Sequence, residues 1–261
     1  MKRVLIFDLD GTIFVNSKIS RELRDAIDEL SKSKIVIFAS GRMLSSMEIL
    51  LENYDLSGIE IAYNGALIRY DELYKFCLDY ENSAKVIDFL RANDIHRQIY
   101  VDDVLYVEED NEFAKAYSDQ SGIGYNVISD LKEIAKKGCV YKILAFGLPE
   151  RIRSLRKKAK DVSKDVDVFT SSELYLEFVK RGINKKFSVE FLSKKIGFSL
   201  DEAIAFGDGE NDAELLKSVG ISFAMRPGNE KSLVSAKYIT DNEDGKGVLR
   251  AIDFLKTMGE I

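Results

Sequence analysis

The chain has 261 residues, 46% hydrophobic and 31% charged, a composition typical of a water-soluble globular protein with one large domain or two. Its net charge of -6 at pH 7 and its lack of a basic block interleaved with aromatic residues argue against a nucleic-acid-binding surface. No apolar stretch is long enough to span a membrane, so we expect no membrane partner.

The N-terminal residues and the cysteines bear on where the protein works. The first apolar run ends at Asp8, too soon for the apolar core of a signal peptide. Cys77 and Cys139 are far apart in the sequence, and two cysteines make neither a disulfide framework nor a zinc motif. We therefore expect both to be buried apolar residues, and we predict a cytoplasmic protein.

The first part of the chain alternates strand-like and helix-like segments. Residues 4–7 are an apolar run typical of a strand buried on both faces, and a helix with apolar residues three and four apart begins near Ser20. Residues 34–39 predict a second strand, and residues 59–63 predict a third after another helix. This alternation is typical of a parallel sheet covered by helices.

The pattern changes after about residue 66, where residues 66–78 predict a hairpin. A second α/β unit follows, with elements in the order αββ(αβαβ)αββ, and the first pattern returns with a helix from Asn184. The predicted fold is an α/β, doubly wound, Rossmann-like parallel-sheet domain with an inserted α/β domain. The predicted boundaries are 1–80 and 182–261 for the core and 81–181 for the insertion.

Polar residues follow predicted strands or begin predicted helices at four places in the core. They are Asp8, Asp10 and Thr12; Ser40; Lys185; and Asp208, Asn211 and Asp212. Because ligands bind at the carboxyl ends of the strands in open α/β sheets, we expect these side chains to form one site.

Transfer of a phosphoryl group needs a nucleophile, a cation, fixed donors and a proton source for the leaving alcohol. Asp8 and Asp208, at the ends of neighbouring strands, are suited to hold Mg²⁺, which prefers oxygen ligands. Asp8 is then the candidate nucleophile and forms an aspartyl-phosphate. Gly11 interrupts the strand and permits Asp10 to turn toward the leaving oxygen.

Five motifs together resemble the haloacid dehalogenase superfamily. They are Asp-Leu-Asp-Gly-Thr at 8–12, Ser-Gly-Arg at 40–42, Asn-Gly-Ala at 64–66, Gly-Ile-Asn-Lys at 182–185 and Gly-Asp-Gly-Glu-Asn-Asp at 207–212. More narrowly, the chain resembles the Cof-type, sugar-phosphatase-like members, and its inserted domain resembles their large cap of the C2B type. The resemblance implies a phosphoric monoester hydrolase with Mg²⁺ as cofactor.

The resemblance also implies roles for individual residues. Asp8 is the nucleophile and a metal ligand, while Asp10 is the general acid and base and lends its backbone carbonyl to the metal. Asp208 is a further metal ligand, and Asp212 supports the ligands. The phosphate-binding residues implied are Ser40, the amide of Gly41, Lys185 and Asn211.

Simpler interpretations apply to several other residues. Asn64 and Gly65 are as consistent with an ordinary turn as with a direct role. We expect His96 to be an exposed cap residue, and the basic residues of 151–160 to form the solvated face of a helix.

We predict hydrolysis of small phosphorylated metabolites, sugar phosphates or related compounds, by a monomer or small homo-oligomer. The inserted domain is expected to close over the site and favour small substrates. Two alternatives are a phosphomutase that uses the same aspartyl-phosphate and a catalytically silent binding or regulatory module.

Overall fold

A computed structural model describes residues 3–261 of the protein. Its first stretch contains β1 (Val4–Phe7), α1 (Arg21–Ser31), β2 (Ile35–Ala39), α2 (Leu44–Glu52), β3 (Ile59–Ala62), β4 (Leu67–Arg69) and β5 (Leu73–Lys75). The hydroxyl of Ser20 caps α1 by accepting a hydrogen bond from the amide of Leu23. The helix therefore begins where the sequence predicts.

The middle stretch has the predicted order of elements. It contains α3 (Tyr80–Ala92), β6 (His96–Val101), β7 (Val104–Val107), α4 (Glu112–Ser121), β8 (Asn126–Val127), α5 (Leu131–Ala135), β9 (Val140–Phe146), α6 (Pro149–Ala159), β10 (Val166–Ser172) and β11 (Tyr175–Lys180).

The last stretch contains α7 (Lys185–Ile196), β12 (Ala203–Gly207), α8 (Ala213–Ser218), β13 (Ile221–Arg226), α9 (Glu230–Ser235), β14 (Tyr238–Asp241) and α10 (Gly247–Thr257). None of the helices within residues 3–261 combines the length and apolar character that a membrane span needs.

The first and last stretches share one sheet, in the strand order β14-β13-β12-β1-β2-β3-β4-β5. The pairs from β14 to β3 are parallel, and β4 runs antiparallel to β3. The chain order reverses direction between β1 and β12, which is the switch point where such sheets bind ligands. The predicted α/β fold with a parallel-sheet core is confirmed.

Aromatic rings stack along this sheet. Every residue of β1 is buried. The ring of Phe7 stacks on Phe206 at 5.0 Å, Phe206 on Phe223 at 5.5 Å, and Phe223 on Tyr238 at 5.1 Å. Offset aromatic stacking adds to the free energy gained by burial, so the strands that carry the site are firmly held.

The middle stretch forms a second sheet, in the order β10-β11-β9-β6-β7-β8. Its pairs are antiparallel except β7 with β8. An apolar cluster that includes Val86, Leu90, Ile99, Ile143 and Phe178 packs on one face. Because strand side chains alternate, their neighbours in sequence occupy the other face.

The chain divides into two compact units. The first comprises residues up to Arg42, Met47–Leu73 and Asn184–Ile261, and the second comprises Met43–Ser46 and Tyr74–Ile183. In the second unit, the amides of residues 44 and 45 donate hydrogen bonds of 3.0 and 2.9 Å to one carboxylate, that of Asp103. The sequence-based domain boundaries, after residues 80 and 181, stay a prediction.

The prediction for the cysteines is wrong. Cys77 and Cys139 form a disulfide with their Cα atoms 5.2 Å apart, and both are only partly buried. Antiparallel pairing of Leu78 with Val140 brings them together across a sequence separation of 62 residues. The cytoplasmic location, which relied on unpaired cysteines, stays a prediction without that support.

His96 is not the exposed cap residue expected. It begins β6, is partly buried, and its ring stacks on Phe113 at 5.8 Å. Burial lowers the pKa of His96, and a hydrogen bond with Gln98 opposes that shift only in part. The basic residues of 151–160 do lie on the solvated side of α6, as predicted.

Candidate functional site

The predicted site residues of the core follow neighbouring strands of the first sheet. Asp8 follows β1, Ser40 follows β2 and Asp208 follows β12. Phe7 of β1 pairs in register with both β2 and β12, so these strands end at the same level. The three residues therefore lie at the carboxyl edge of the sheet, beside the switch point.

Lys185 joins this edge from α7. The side chain of Asn184 caps the helix, which makes Lys185 its first residue. The ammonium group is fully buried and donates hydrogen bonds to Asp8 Oδ1 at 2.5 Å and to Asp212 Oδ1 at 2.6 Å. Charge-assisted hydrogen bonds of this kind are the strong ones, so the lysine ties both carboxylates to one point.

Burial and neighbouring charges shift the pKa values of Lys185, Asp8 and Asp208. Burial opposes the charge of Lys185, but Asp212 and Asp8 outweigh it and raise the pKa of the lysine. Burial raises the pKa of Asp8 well above its usual range; Lys185 opposes this shift, while Asp212 and Asp208 add to it. Burial, and next the charge of Asp212, raise the pKa of Asp208 to about 6.

Three carboxylates form the cluster best suited to a metal ion. One oxygen each from Asp8, Asp208 and Asp212 lies within 4.8 Å of the others. Asp212 is already engaged, because Oδ1 accepts from Lys185 and Oδ2 accepts from the amides of Asp208 at 3.1 Å and Gly209 at 2.8 Å.

Asp8 Oδ2 differs from the two oxygens of Asp212, because it is buried and accepts no hydrogen bond from the described part of the chain. A buried carboxylate oxygen without a donor is costly unless a cation or ligand satisfies it. Three crowded carboxyl groups and an all-oxygen donor set fit a hard divalent cation such as Mg²⁺.

The loop after β1 is shaped around this cluster. Gly11 has φ +84, and a Cβ on it would collide with the carboxylate of Asp208. Thr12 is buried, and its hydroxyl donates to Asp208 Oδ1 at 3.1 Å. The structure thus brings Asp8, Thr12 and the last motif together.

Asp10 takes a different partner. Its carboxylate accepts hydrogen bonds from Arg42 Nε at 2.6 Å and Arg42 Nη2 at 2.7 Å, and its side chain is 52% exposed. Asp10 therefore faces the second motif and solvent instead of the buried lysine.

Two of the predicted phosphate-binding residues, Ser40 and Gly41, directly follow β2, and the other two are Lys185 in α7 and Asn211 in the last motif. Ser40 is buried, and its Oγ accepts a hydrogen bond from the amide of Arg42 at 3.1 Å. A Cβ on Gly41 would lie 3.1 Å from Asn64 Oδ1, so the backbone there runs close to that side chain. Asn211 Nδ2 donates to the same oxygen of Asn64 at 2.7 Å.

Asn64 lies in a turn, one of the two interpretations that the sequence leaves open, and its side chain also contacts the last motif. Its backbone, with φ 56 and ψ 22, is left-handed as in a turn. Its side chain is buried and contacts Asn211 of the last motif. Next to it, the carbonyl of Gly65 accepts a hydrogen bond from the hydroxyl of Ser188 at 2.8 Å, which ties the turn to α7.

Sequence reasoning missed two residues that support the site from the end of the chain. Asn242 is buried and donates to the carbonyls of Gly11 at 2.8 Å and Thr12 at 3.0 Å. Ser232 donates to the carbonyl of Asp208 at 2.7 Å. Ser232 lies in the short helix α9 and Asn242 directly follows β14, both far in the sequence from the residues they contact, so only the fold reveals these contacts.

Comparison with known proteins places this arrangement in a family. The family profile described as haloacid dehalogenase-like hydrolase matches residues 5–252. The chain belongs to this family. The resemblance noted in the motifs is confirmed, as is the predicted enzyme class, a phosphoric monoester hydrolase of that superfamily.

Two curated relatives cover nearly the whole chain. A 5-amino-6-(5-phospho-D-ribitylamino)uracil phosphatase of Bacillus subtilis is 28% identical over 257 residues, which cover 96% of this chain and 94% of that protein. A phosphoglycolate phosphatase of Methanosarcina mazei is 27% identical over 263 residues, 99% of each chain.

A solved structure agrees with the fold. The crystal structure of a protein from Thermotoga maritima is 35% identical and superimposes with a TM-score of 0.84, covering 95% of both chains. The similarity to these proteins therefore extends over nearly the full length of the chain, without a large insertion or deletion.

Proposed function

We propose that this family member is a Mg²⁺-dependent phosphatase that hydrolyses small phosphorylated metabolites, sugar phosphates or related compounds, through an aspartyl-phosphate on Asp8. The observation that carries the proposal is the buried array of Lys185, Asp8 and Asp212 beside Asp208. One oxygen of Asp8 is fixed by the lysine, and the other has no hydrogen-bond partner among the described residues.

Asp8 is the nucleophile in this proposal. Lys185 holds one oxygen of Asp8 and favours the carboxylate over the neutral acid. A carboxylate oxygen of Asp8 attacks phosphorus, and the bond from phosphorus to the leaving alcohol oxygen breaks. Mg²⁺, when bound, supplies positive charge that offsets the repulsion between the carboxylates and the phosphate.

Asp10 moves the proton in both half-reactions. It first protonates the leaving oxygen of the alcohol, and it is left as a carboxylate. That carboxylate then takes a proton from the water that attacks phosphorus, which releases inorganic phosphate and restores Asp8. Its exposure supports this role, because the proton carrier must reach both the substrate and water.

The remaining residues hold the metal and the phosphate. Asp8, Asp208 and the backbone carbonyl of Asp10 are the proposed metal ligands. Asp212 supports them, since its two oxygens are engaged by Lys185 and by backbone amides. The phosphate is bound by Ser40, the amide of Gly41, Lys185 and Asn211, and the contact with Asn64 orients the amide of Asn211.

The relatives support small substrates. The two curated relatives are named for compounds that carry one phosphate on a small organic group. We propose that residues 81–181 form the cap that distinguishes such groups.

The test is to incubate the protein with a panel of sugar phosphates and other small phosphate esters, with Mg²⁺ and with a chelator. We expect Mg²⁺-dependent release of inorganic phosphate. Formation of an isomeric sugar phosphate without free phosphate would instead support the phosphomutase alternative. No phosphate release from any ester, with protein shown to be folded, would contradict the proposal.

A further inference from the structure

Arg42 and Asp10 form an ion pair in the site that the chemistry above does not use. Arg42 Nε and Nη2 donate to the two different oxygens of Asp10, at 2.6 and 2.7 Å. Such a fork holds a carboxylate in a defined plane, which a single contact does not.

The backbone of Arg42 is itself fixed. Its amide donates to Ser40 Oγ at 3.1 Å, and its carbonyl accepts from the amide of Tyr63 at 2.9 Å. The guanidinium therefore extends from a point tied to β2 and to the end of β3, and it is less exposed than its partner, 26% against 52%.

Asp10 depends on this contact for its orientation. Within residues 3–261, no other side chain donates a hydrogen bond to its carboxylate. A half-exposed aspartate without a partner samples several rotamers, whereas proton transfer requires a heavy-atom distance of about 2.6–3.2 Å to the reacting oxygen.

We propose that Arg42 is a positioning residue for proton transfer by Asp10. The inference rests on the proposed function, in which Asp10 is the acid and base. Arg42 fixes the carboxylate in the orientation that lets it protonate the leaving oxygen as the phosphorus–oxygen bond breaks. When Asp10 carries the proton on one oxygen, the other still accepts from the guanidinium.

The leaving group provides the test. A poor leaving group such as the alcohol of glycerol phosphate needs a proton, whereas 4-nitrophenolate leaves without one. The ratio kcat/KM covers the steps up to alcohol release and excludes the later hydrolysis of the aspartyl-phosphate. For Arg42→Ala we expect kcat/KM to fall by about tenfold to hundredfold with glycerol phosphate and by less than about threefold with 4-nitrophenyl phosphate.

Three variants make the result specific. Asp10→Asn should show the same dependence on the leaving group with a larger loss, and Arg42→Lys should recover only part of the activity because it lacks the fork. Arg21→Ala is the matched control, since the side chain of Arg21 is 88% exposed and lies 3.6 Å from Asp25 on α1. This variant should leave kcat/KM unchanged with both substrates.

The outcomes separate the two proposals. Suppose that Arg42→Ala lowers kcat/KM by the same factor with both substrates, while Asp10→Asn lowers it more with glycerol phosphate than with 4-nitrophenyl phosphate. Arg42 then binds phosphate or supports the fold, and the inference is overturned. If Asp10→Asn itself shows no dependence on the leaving group, the proposed role of Asp10 is wrong. Retained activity of Arg42→Ala on 4-nitrophenyl phosphate also shows that this variant is folded.

Discussion

Each of the two units buries charged side chains, and the two groups differ in their balance of charge. In the first unit, the ammonium of Lys185 bonds the carboxylates of Asp8 and Asp212, and Asp208 lies close to both of these carboxylates. In the second unit, Lys142 Nζ lies 3.2 Å from Glu177 Oε1, with both side chains almost fully buried.

This difference in the balance of charged groups distinguishes a structural ion pair, in the second unit, from the candidate active site in the first. The pair of Lys142 and Glu177 in the second sheet is neutral as a unit, and the ammonium also lies 4.9 Å from the centre of the Tyr100 ring. The cluster around Lys185 has an excess of carboxyl groups over cations and an oxygen of Asp8 without a donor among the described residues. Such an excess destabilises an empty site and is relieved when a cation binds.

The largest expected effect follows from removing the nucleophile. Asp8→Asn keeps the shape of the side chain and removes one of the crowded charges, so the protein should stay folded. Phosphate release should fall by roughly 10⁴-fold or more, because no other group replaces the attacking oxygen. Turnover and thermal unfolding are measured on the same preparation; turnover near that of the unaltered protein contradicts the nucleophile assignment.

Breaking the neutral pair should act on stability instead. Glu177→Gln removes the negative charge that faces the buried Lys142, and we expect a loss of about 3–5 kcal/mol in the free energy of unfolding. Urea denaturation measures it. The double variant Lys142→Met with Glu177→Leu removes both charges and should recover most of the loss. If the double variant is no more stable than Glu177→Gln, the pair is not the source of the effect.

Metal binding should stabilise the unbalanced cluster. At a Mg²⁺ concentration 100 times the dissociation constant, binding adds about 2.7 kcal/mol to the free energy of unfolding. Thermal unfolding with Mg²⁺ and with chelator should show the shift in the unaltered protein and in Glu177→Gln, but not in Asp208→Asn. An equal shift in Asp208→Asn would place the ion elsewhere.

The smallest effect concerns His96, the one histidine of the chain. Burial lowers its folded-state pKa below the unfolded value of about 6.5, so the unfolded chain binds more protons near pH 6. Stability contributed by the neutral ring is therefore lost as pH falls from about 7 through that range.

The difference in unfolding free energy between the unaltered protein and His96→Gln isolates this component, because the carboxylates are common to both. We expect the advantage of histidine to shrink as pH falls. A difference that stays constant across the range contradicts a lowered pKa.

The sequence predicted the elements and the strand-end acids because both depend on local pattern. Asp8 and Asp208 end buried apolar strands, and strand ends of a parallel sheet share an edge. The Ser20 cap and the order of elements in the second sheet likewise follow from residues close together in the chain.

The remaining features depend on contacts between distant segments. The pairing of Cys77 with Cys139 follows from the register of Leu78 with Val140, which neither stretch encodes alone. Asn242 reaches Gly11 across 231 residues of sequence. No local spacing distinguishes such an asparagine from one in a turn, because its role depends on where β14 lies in the sheet.

The central claim is that the phosphoryl group passes through Asp8, and trapping of the intermediate tests it most directly. The protein is mixed with Mg²⁺ and excess substrate, quenched in acid, and treated with borohydride, which reduces an aspartyl-phosphate to homoserine. Mass spectrometry of the peptides should find homoserine at position 8 only, and only when substrate was present. An unmodified Asp8 in actively turning-over protein, or homoserine at another aspartate, would contradict the account.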